Sequence, residues 1–277
     1  MKHIASLLLI FLLPFSAHAI KLNQRGEKMV SQVNVVHADG KRAPYSIKFG
    51  YDTAMDINLM EFERKGVNHE IAKIGRGNGE IWRQDYVDGN KFGHYIFKTD
   101  SHGRPKQMQW FDRNLLNGND YLNSTFTYDY NYQDYTLSIT HIYADDKEAG
   151  LRELVCVDNG NAYMLKSVMN LQKGTESKPF ANCRGMAYSD TINDLNIDLQ
   201  QLVCGYCRVG GRFDIPANSN FVFLANWTNT KSKNLIGVLD KFRMEYIIDI
   251  NGNVKQVVVK WRSTNEIRNT ISITYVE

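Results

Sequence analysis

The sequence predicts a mainly β protein: an antiparallel meander of hairpins in one large curved sheet, with one short helix near residues 192–204. Three observations predict it. Apolar and aromatic residues alternate with polar ones in separate runs, Asn-Gly and Asp-Gly dipeptides recur between the runs, and one hairpin pattern occurs twice. Period-2 alternation rich in β-branched and aromatic residues marks half-buried strands.

At the N-terminus, Lys2 and His3 precede the apolar run IASLLLIFLLPF, and SAHA then supplies Ala17-x-Ala19. A basic start, a short apolar stretch and small residues at a cleavage point form a secretory signal peptide. The expected organisation is therefore a signal peptide over 1–19, cut after Ala19, and one β-rich domain over 20–277. Two halves meeting near residue 150 are the alternative. The apolar run is shorter than the ~20 residues that span a bilayer. No later segment is apolar enough for a transmembrane helix, so a periplasmic or extracellular location is expected.

Along the mature chain, PYSIKFGY places Tyr45, Ile47, Phe49 and Tyr51 on one face. TFTYDY does so with Phe126, Tyr128 and Tyr130, and TISITY with Ile271, Ile273 and Tyr275. Between such runs lie Asp39-Gly40, Asp88-Gly89, Asn117-Gly118, Asn159-Gly160 and Asn251-Gly252. These dipeptides suit tight hairpin turns that need positive φ. GRGNGE, residues 75–80, reads as another hairpin tip, because it lacks the Gly-Lys-Ser/Thr of a phosphate loop.

Segment 94–110 resembles segment 245–261. Each has Tyr-Ile, a turn containing Gly103 or Gly252, Lys-Gln three residues on, and a closing Trp110 or Trp261. One hairpin design used twice accounts for this, since hairpins bury an apolar face only by stacking with others. In SDTINDLNIDLQQLVCG, Ile192, Leu195, Leu199 and Leu202 have helical spacing. Asp194 and Asp198 are N-cap candidates, and Gly205 suits the residue after the helix.

The hairpin YIFKTDSHGRPKQM, the segment NDLNIDLQQLV and the ending KNLIGVLDKFRMEYIIDINGNVKQVVVKW…ISITYV together resemble an exported Bacteroidetes family of unknown function with YD-repeat-like β-hairpins. The likeness spans roughly residues 45–277. It departs from the family pattern in that the Asp-x-x-Gly-Arg core occurs only as DSHGRP. The resemblance implies fold and export, and transfers no catalytic residues.

The chemistry-bearing candidates are few. Cys156, Cys183, Cys204 and Cys207 are an even set, and an exported chain favours disulfides. Three pairings are open. A Cys204-x-x-Cys207 redox centre is disfavoured because the predicted helix runs into the pair, presenting its negative dipole end to the thiols. A zinc site lacks a second Cys-x-x-Cys. His69-Glu70 is not followed by the second histidine of a zinc protease, since Lys73 stands there. The acidic pairs Asp129/Asp134 and Asp145/Asp146 have no EF-hand spacing. No cofactor is expected.

The net charge of +3 comes with scattered basic pairs rather than a stripe, which argues against nucleic acid. Aromatics make up 12% of the chain. Tyr95, Trp110, Tyr246 and Trp261 are the candidates for an exposed aromatic binding face taking a glycan, a peptide or an envelope protein. The expected function is a non-enzymatic module that binds or scaffolds at the bacterial envelope. The alternative is an envelope enzyme, either a thiol-disulfide oxidoreductase using Cys204/Cys207 or a carboxylate-based hydrolase.

Overall fold

A computed structural model describes residues 19–64, 66, 69–133, 136–145, 150–169, 187–197, 199, 231–239 and 241–277; over 150–158 and 162–169 the backbone alone is described. Sixteen strands among these residues form one antiparallel sheet. They are β1 (Val30–His37), β2 (Tyr45–Tyr51), β3 (Ile57–Arg64), β4 (Glu70–Gly77), β5 (Glu80–Val87), β6 (Asn90–Thr99), β7 (Pro105–Arg113) and β8 (Asp120–Asn131). The chain continues with β9 (Thr136–Tyr143), β10 (Gly150–Asp158), β11 (Asn161–Met169), β12 (Ala187–Ile192), β13 (Asn234–Leu239), β14 (Phe242–Ile248), β15 (Val254–Trp261) and β16 (Ile267–Tyr275).

The order is a meander from β11 back to β1, which then pairs with β16 and runs on through β15, β14 and β13 to β12. The last strand thus closes onto the first, Val33 opposite Ile273 and Val35 opposite Ile271. The two ends of the order also approach each other. Lys233 N donates to Gly160 O at 2.7 Å, and Asn234 N to Asn161 Oδ1 at 2.9 Å. These bonds tie the β10–β11 turn to the start of β13, so the sheet must curl. Among the described residues no ladder joins β11 to β12, and the curl stays open there.

One turn design recurs at the lower end of this curl. Asp100 Oδ1 accepts from the backbone N of His102 and Arg104, and Asp249 Oδ1 from Asn251 and Asn253. Asn23 and Asp52 do the same for the residues two and four positions on. The residue three positions after each has positive φ: Gly26, Met55, Gly103 and Gly252. This is the hairpin shared by 94–110 and 245–261, and among the described residues it is used four times rather than twice. An Asx side chain satisfies the turn amides, and a left-handed residue closes a bulge. Met55 alone of the four holds that conformation with a β-carbon, which costs about 1–2 kcal/mol. Met55→Asn, which tolerates the region, is expected to stabilise the fold by about 0.5–1 kcal/mol, read from denaturant midpoints. The tight type I′ turns fall elsewhere, at Asn78-Gly79, Asp88-Gly89 and Asn159-Gly160, where both central residues have positive φ.

The two faces of the sheet differ sharply. Val33, Val35, Ile47, Phe49, Met60, Phe62, Ala72, Ile74, Phe97, Met108, Phe126, Ile139, Val257, Val259 and Ile271 all point to one side and are buried in a single cluster. Each of these side chains larger than alanine contributes about 1.5–3 kcal/mol on burial. The opposite face carries Gln32, Asn34, Lys48, Glu61, Glu63, Lys73, Gln256, Lys260, Thr270 and Ser272, with ion pairs Lys48–Glu63 at 3.0 Å and Lys260–Glu245 at 2.7 Å. A membrane-embedded barrel needs the reverse, an apolar outer band. Among the described residues no helix is long and apolar enough to cross a membrane.

Residues 193–197 and Leu199 cover the lower end. Leu195, Ile197 and Leu199 are buried in the core, and Asn196 is a polar peg between them. Its Oδ1 accepts from Val30 N at 3.0 Å, while Nδ2 donates to the Tyr51 hydroxyl at 2.8 Å. That hydroxyl in turn donates to Val30 O. The helix predicted near 192–204 does not form over 192–197: Ile192 ends β12, Leu195 is a bridge residue, and Asn196 and Ile197 make a bend. Leu195 pairs with Lys28 instead, because the Lys28 and Asn196 amides bond across the two segments. Leu199 is helical, and Leu202 to Cys204 lie outside the described residues.

Candidate functional site

The buried face changes character along its length. Toward the lower end it is aliphatic and aromatic, whereas β5 to β9 bring polar groups inward nearer the upper end. Arg83 and Asp85, two residues apart on β5, share this face and are 2% and 1% exposed. The guanidinium donates twice to the carboxylate, Nε to Oδ1 at 2.6 Å and Nη2 to Oδ2 at 3.1 Å. It also lies 5.2 Å over the Tyr95 ring. Paired and hydrogen-bonded in this way, two buried charges are tolerable. Gly93, opposite Asp85 and Asp112, leaves room for them: a β-carbon there would come within 2.9 Å of Phe111 O.

Beside this pair, Asp112 Oδ2 accepts from Asn123 Nδ2 at 3.0 Å, and Ser124 Oγ donates to Asn123 Oδ1 at 2.6 Å. The Ser124 hydroxyl is thus spent on an amide rather than activated by a base. His141 stacks on Phe126 at 4.0 Å. These groups knit a polar patch inside an apolar wall.

The four aromatics expected on an exposed face share one side of the sheet, and it is the buried side. Tyr95 is 4% exposed and belongs to the core, which corrects its assignment to a solvent-facing patch. Trp110 stands opposite it, rings 5.9 Å apart, and Arg83 covers its other neighbour position. Burial pushes the Tyr95 hydroxyl well above the usual phenol range, and the Asp85 charge adds to this. Trp110, Tyr246 and Trp261 are half-buried against the same core. The Tyr246 hydroxyl donates to Ile236 O at 2.6 Å, and Trp261 packs on Phe242 at 5.0 Å. Cys156 lies in β10, where only the backbone is described, and Cys183, Cys204 and Cys207 lie outside the described residues. Asp129 is exposed on β8 and Asp145 in the bend after β9, while Asp134 and Asp146 lie outside the described residues.

Among the described residues, the tryptophan presented to solvent is Trp82, 47% exposed on the outer face of β5. Its indole lies flat on Gly75, directly opposite on β4, and a β-carbon at that position would collide with the ring. Glycine is therefore required for the indole to lie down. Four residues on, Tyr86 is half-buried on the same face, with Lys73 Nζ 5.1 Å over its ring. Trp82 and Tyr86 stand about 13 Å apart along the strand. No local pattern in the sequence marks this site, since only the β4–β5 register shows that a glycine faces the tryptophan.

On the same outer face, Glu61, Glu63 and His69 bring one ligand atom each within 4.8 Å of one another. Glu63 is paired with Lys48, which holds its carboxyl below the usual range.

No family model and no curated protein sequence matches this chain. Solved structures do. A porin-like protein from Bacteroides vulgatus ATCC 8482 superposes with a TM-score of 0.56 at 14% identity, over 89% of this chain and 98% of that one. A porin-like protein from Bacteroides uniformis ATCC 8492 gives 0.56 at 12% identity, again over 89% and 98%. What this chain shares with these two proteins is the fold, a single antiparallel sheet of hairpins.

Proposed function

We propose that the protein is an exported, water-facing β-sheet module of the bacterial envelope that binds glycan on its outer face, with Trp82 as the platform. The observation that carries the reading is the exposed indole held flat by Gly75. A rigid aromatic plane presents its electron-rich face to the C–H bonds of a sugar ring at little conformational cost. Tyr86 in line on the same strand offers a second ring to a longer chain.

Export follows from the leader pattern of residues 1–19, and the oxidising compartment it leads to keeps the four cysteines as structural disulfides. The Asx-closed hairpins support membership of the exported Bacteroidetes family, Arg104 supplying the Arg of the YD-like core. It is held by Asp100 through Nε at 2.9 Å and lies between Tyr130 and Tyr132, 4.7 and 5.0 Å from their centroids. The polar outer face supports a place in the periplasm or outside the cell rather than within a lipid bilayer.

Glycan arrays probed with the wild-type protein and with Trp82→Ala test the reading. Binding is expected for the wild type, with at least a tenfold loss of affinity in the variant. The variant should keep its thermal midpoint, because the side chain is exposed. Equal binding by both proteins, or binding confined to a peptide array, would overturn it.

A further inference from the structure

The upper mouth of the curl holds a second feature, on β16, β1, β2 and β3, away from Trp82. His37 ends β1 directly opposite Asn269 on β16, and its ring lies 5.9 Å from that of Tyr45 on β2. Tyr45 in turn stands opposite Arg64, the last residue of β3. All four positions fall on the inward face. Three of these residues bring buried polar atoms that have no hydrogen-bond partner: His37 Nδ1, Arg64 Nε and Asn269 Oδ1. Asn269 is only 2% exposed, so its amide is denied bulk water.

A buried, unsatisfied polar atom is costly, and three at one mouth of the sheet, on β16, β1 and β3, need an explanation. Charge gives it a direction. Arg42, Arg268 and Arg64 all act on His37, and together with burial, the largest effect, they hold its imidazole below the usual range; Asp39 opposes them. Asp39 is itself engaged with Arg42, Nε to Oδ2 at 2.8 Å. Arg268 is steadied over the Phe242 ring at 4.2 Å. On β4, Glu70 is engaged in interactions of its own. Arg64 has an Nε–H donor still to satisfy.

We infer that His37, Arg64 and Asn269 form a binding site for a single oxyanion, the carboxylate or phosphate group of a small polar molecule or glycan terminus. The Arg64 Nε–H and a neutral His37 N–H donate to it, and the Asn269 amide, which presents both a donor and an acceptor, completes the contact. A hydroxyl beside the anion would donate to Asn269 Oδ1. The site lies inward at the mouth and Trp82 outward on β5, so neither depends on the other.

The test is a titration of the isotope-labelled mature protein with inorganic phosphate and, separately, with glucuronate, at low salt. The Arg64 Nε–H and Asn269 side-chain amide signals are followed. Saturable shifts are expected for at least one probe, and which one saturates separates phosphate from carboxylate. Arg64→Gln should weaken binding at least tenfold, and Gln256→Ala, on the outer face, should bind as the wild type does. Asn269→Val removes an unsatisfied amide from a strand position. Without anion it should therefore raise the melting temperature by about 2–4 °C while binding falls. If Arg64→Gln fails to fold, Asn269→Val carries the test alone. Linear, non-saturating shifts with both probes would overturn the inference. So would wild-type affinity in Arg64→Gln, or destabilisation by Asn269→Val in anion-free buffer.

Discussion

Asp85→Ala is expected to destabilise the fold by about 3–5 kcal/mol, the largest effect of any single substitution considered for this chain. The reason is what it leaves behind. Arg83 is 2% exposed and its guanidinium has two bonds to the Asp85 carboxylate, so truncation strands a cation in a dry interior. The Tyr95 ring 5.2 Å away cannot replace a carboxylate. Restoring apolar volume at both positions, as Arg83→Met with Asp85→Leu, should recover most of the loss, because removing both charges together also removes their desolvation cost. Urea unfolding of the two single variants and the double variant measures the coupling directly. A single variant within 1 kcal/mol of wild type would show that water reaches the pair.

The second large effect is at the lower end. Leu195→Ala is expected to cost about 2–5 kcal/mol, because Leu195 is fully buried and segment 193–199 has little freedom to collapse into the gap. Asn196 pegs that segment to Val30 and Tyr51, and Lys28 ties it again through Asp194 at 2.7 Å. Calorimetry should show a lowered but still single transition. A loss below 1 kcal/mol would mean that the segment does not seal the core.

These two sites show how far the sequence could be read. Alternation and turn residues were enough for a meander of hairpins, since both are local signals of period 2 and positive φ. The repeated turn was visible through Gly103 and Gly252, while the Asp three residues before each glycine gave the design its cause. Segment 193–199 carried two competing periods. Ile192, Leu195 and Leu199 suggested a helix, whereas Leu195, Ile197 and Leu199 also alternate, and those three are the residues buried. Asn196 between them bonds to a strand 166 positions away, which no local pattern encodes.

The aromatic face was legible in part. Tyr95, Trp110, Tyr246 and Trp261 fall on one side because hairpin register preserves the alternation. Which side is buried depends on the direction in which sixteen strands curl, and that is a property of the whole sheet. Trp82 looked like any other strand tryptophan until the register set Gly75 beneath it. The mouth cluster was hidden for the same reason, with Arg64 and Asn269 more than 200 positions apart in the chain.

The sheet keeps a dry inner face and presents its outer face to water. Single nitroxide labels at outer positions Thr127, Gln256 and Ser272 and at inner position Ile271 test it most directly, in the mature protein with lipid vesicles present. Collision with a water-soluble nickel chelate and with oxygen is then compared at each label. High nickel-chelate accessibility is expected at the three outer sites, with low accessibility at Ile271 and a protein that stays monodisperse without detergent. Outer labels shielded from the chelate but open to oxygen, in a protein that requires detergent, would place those strands in lipid and contradict it.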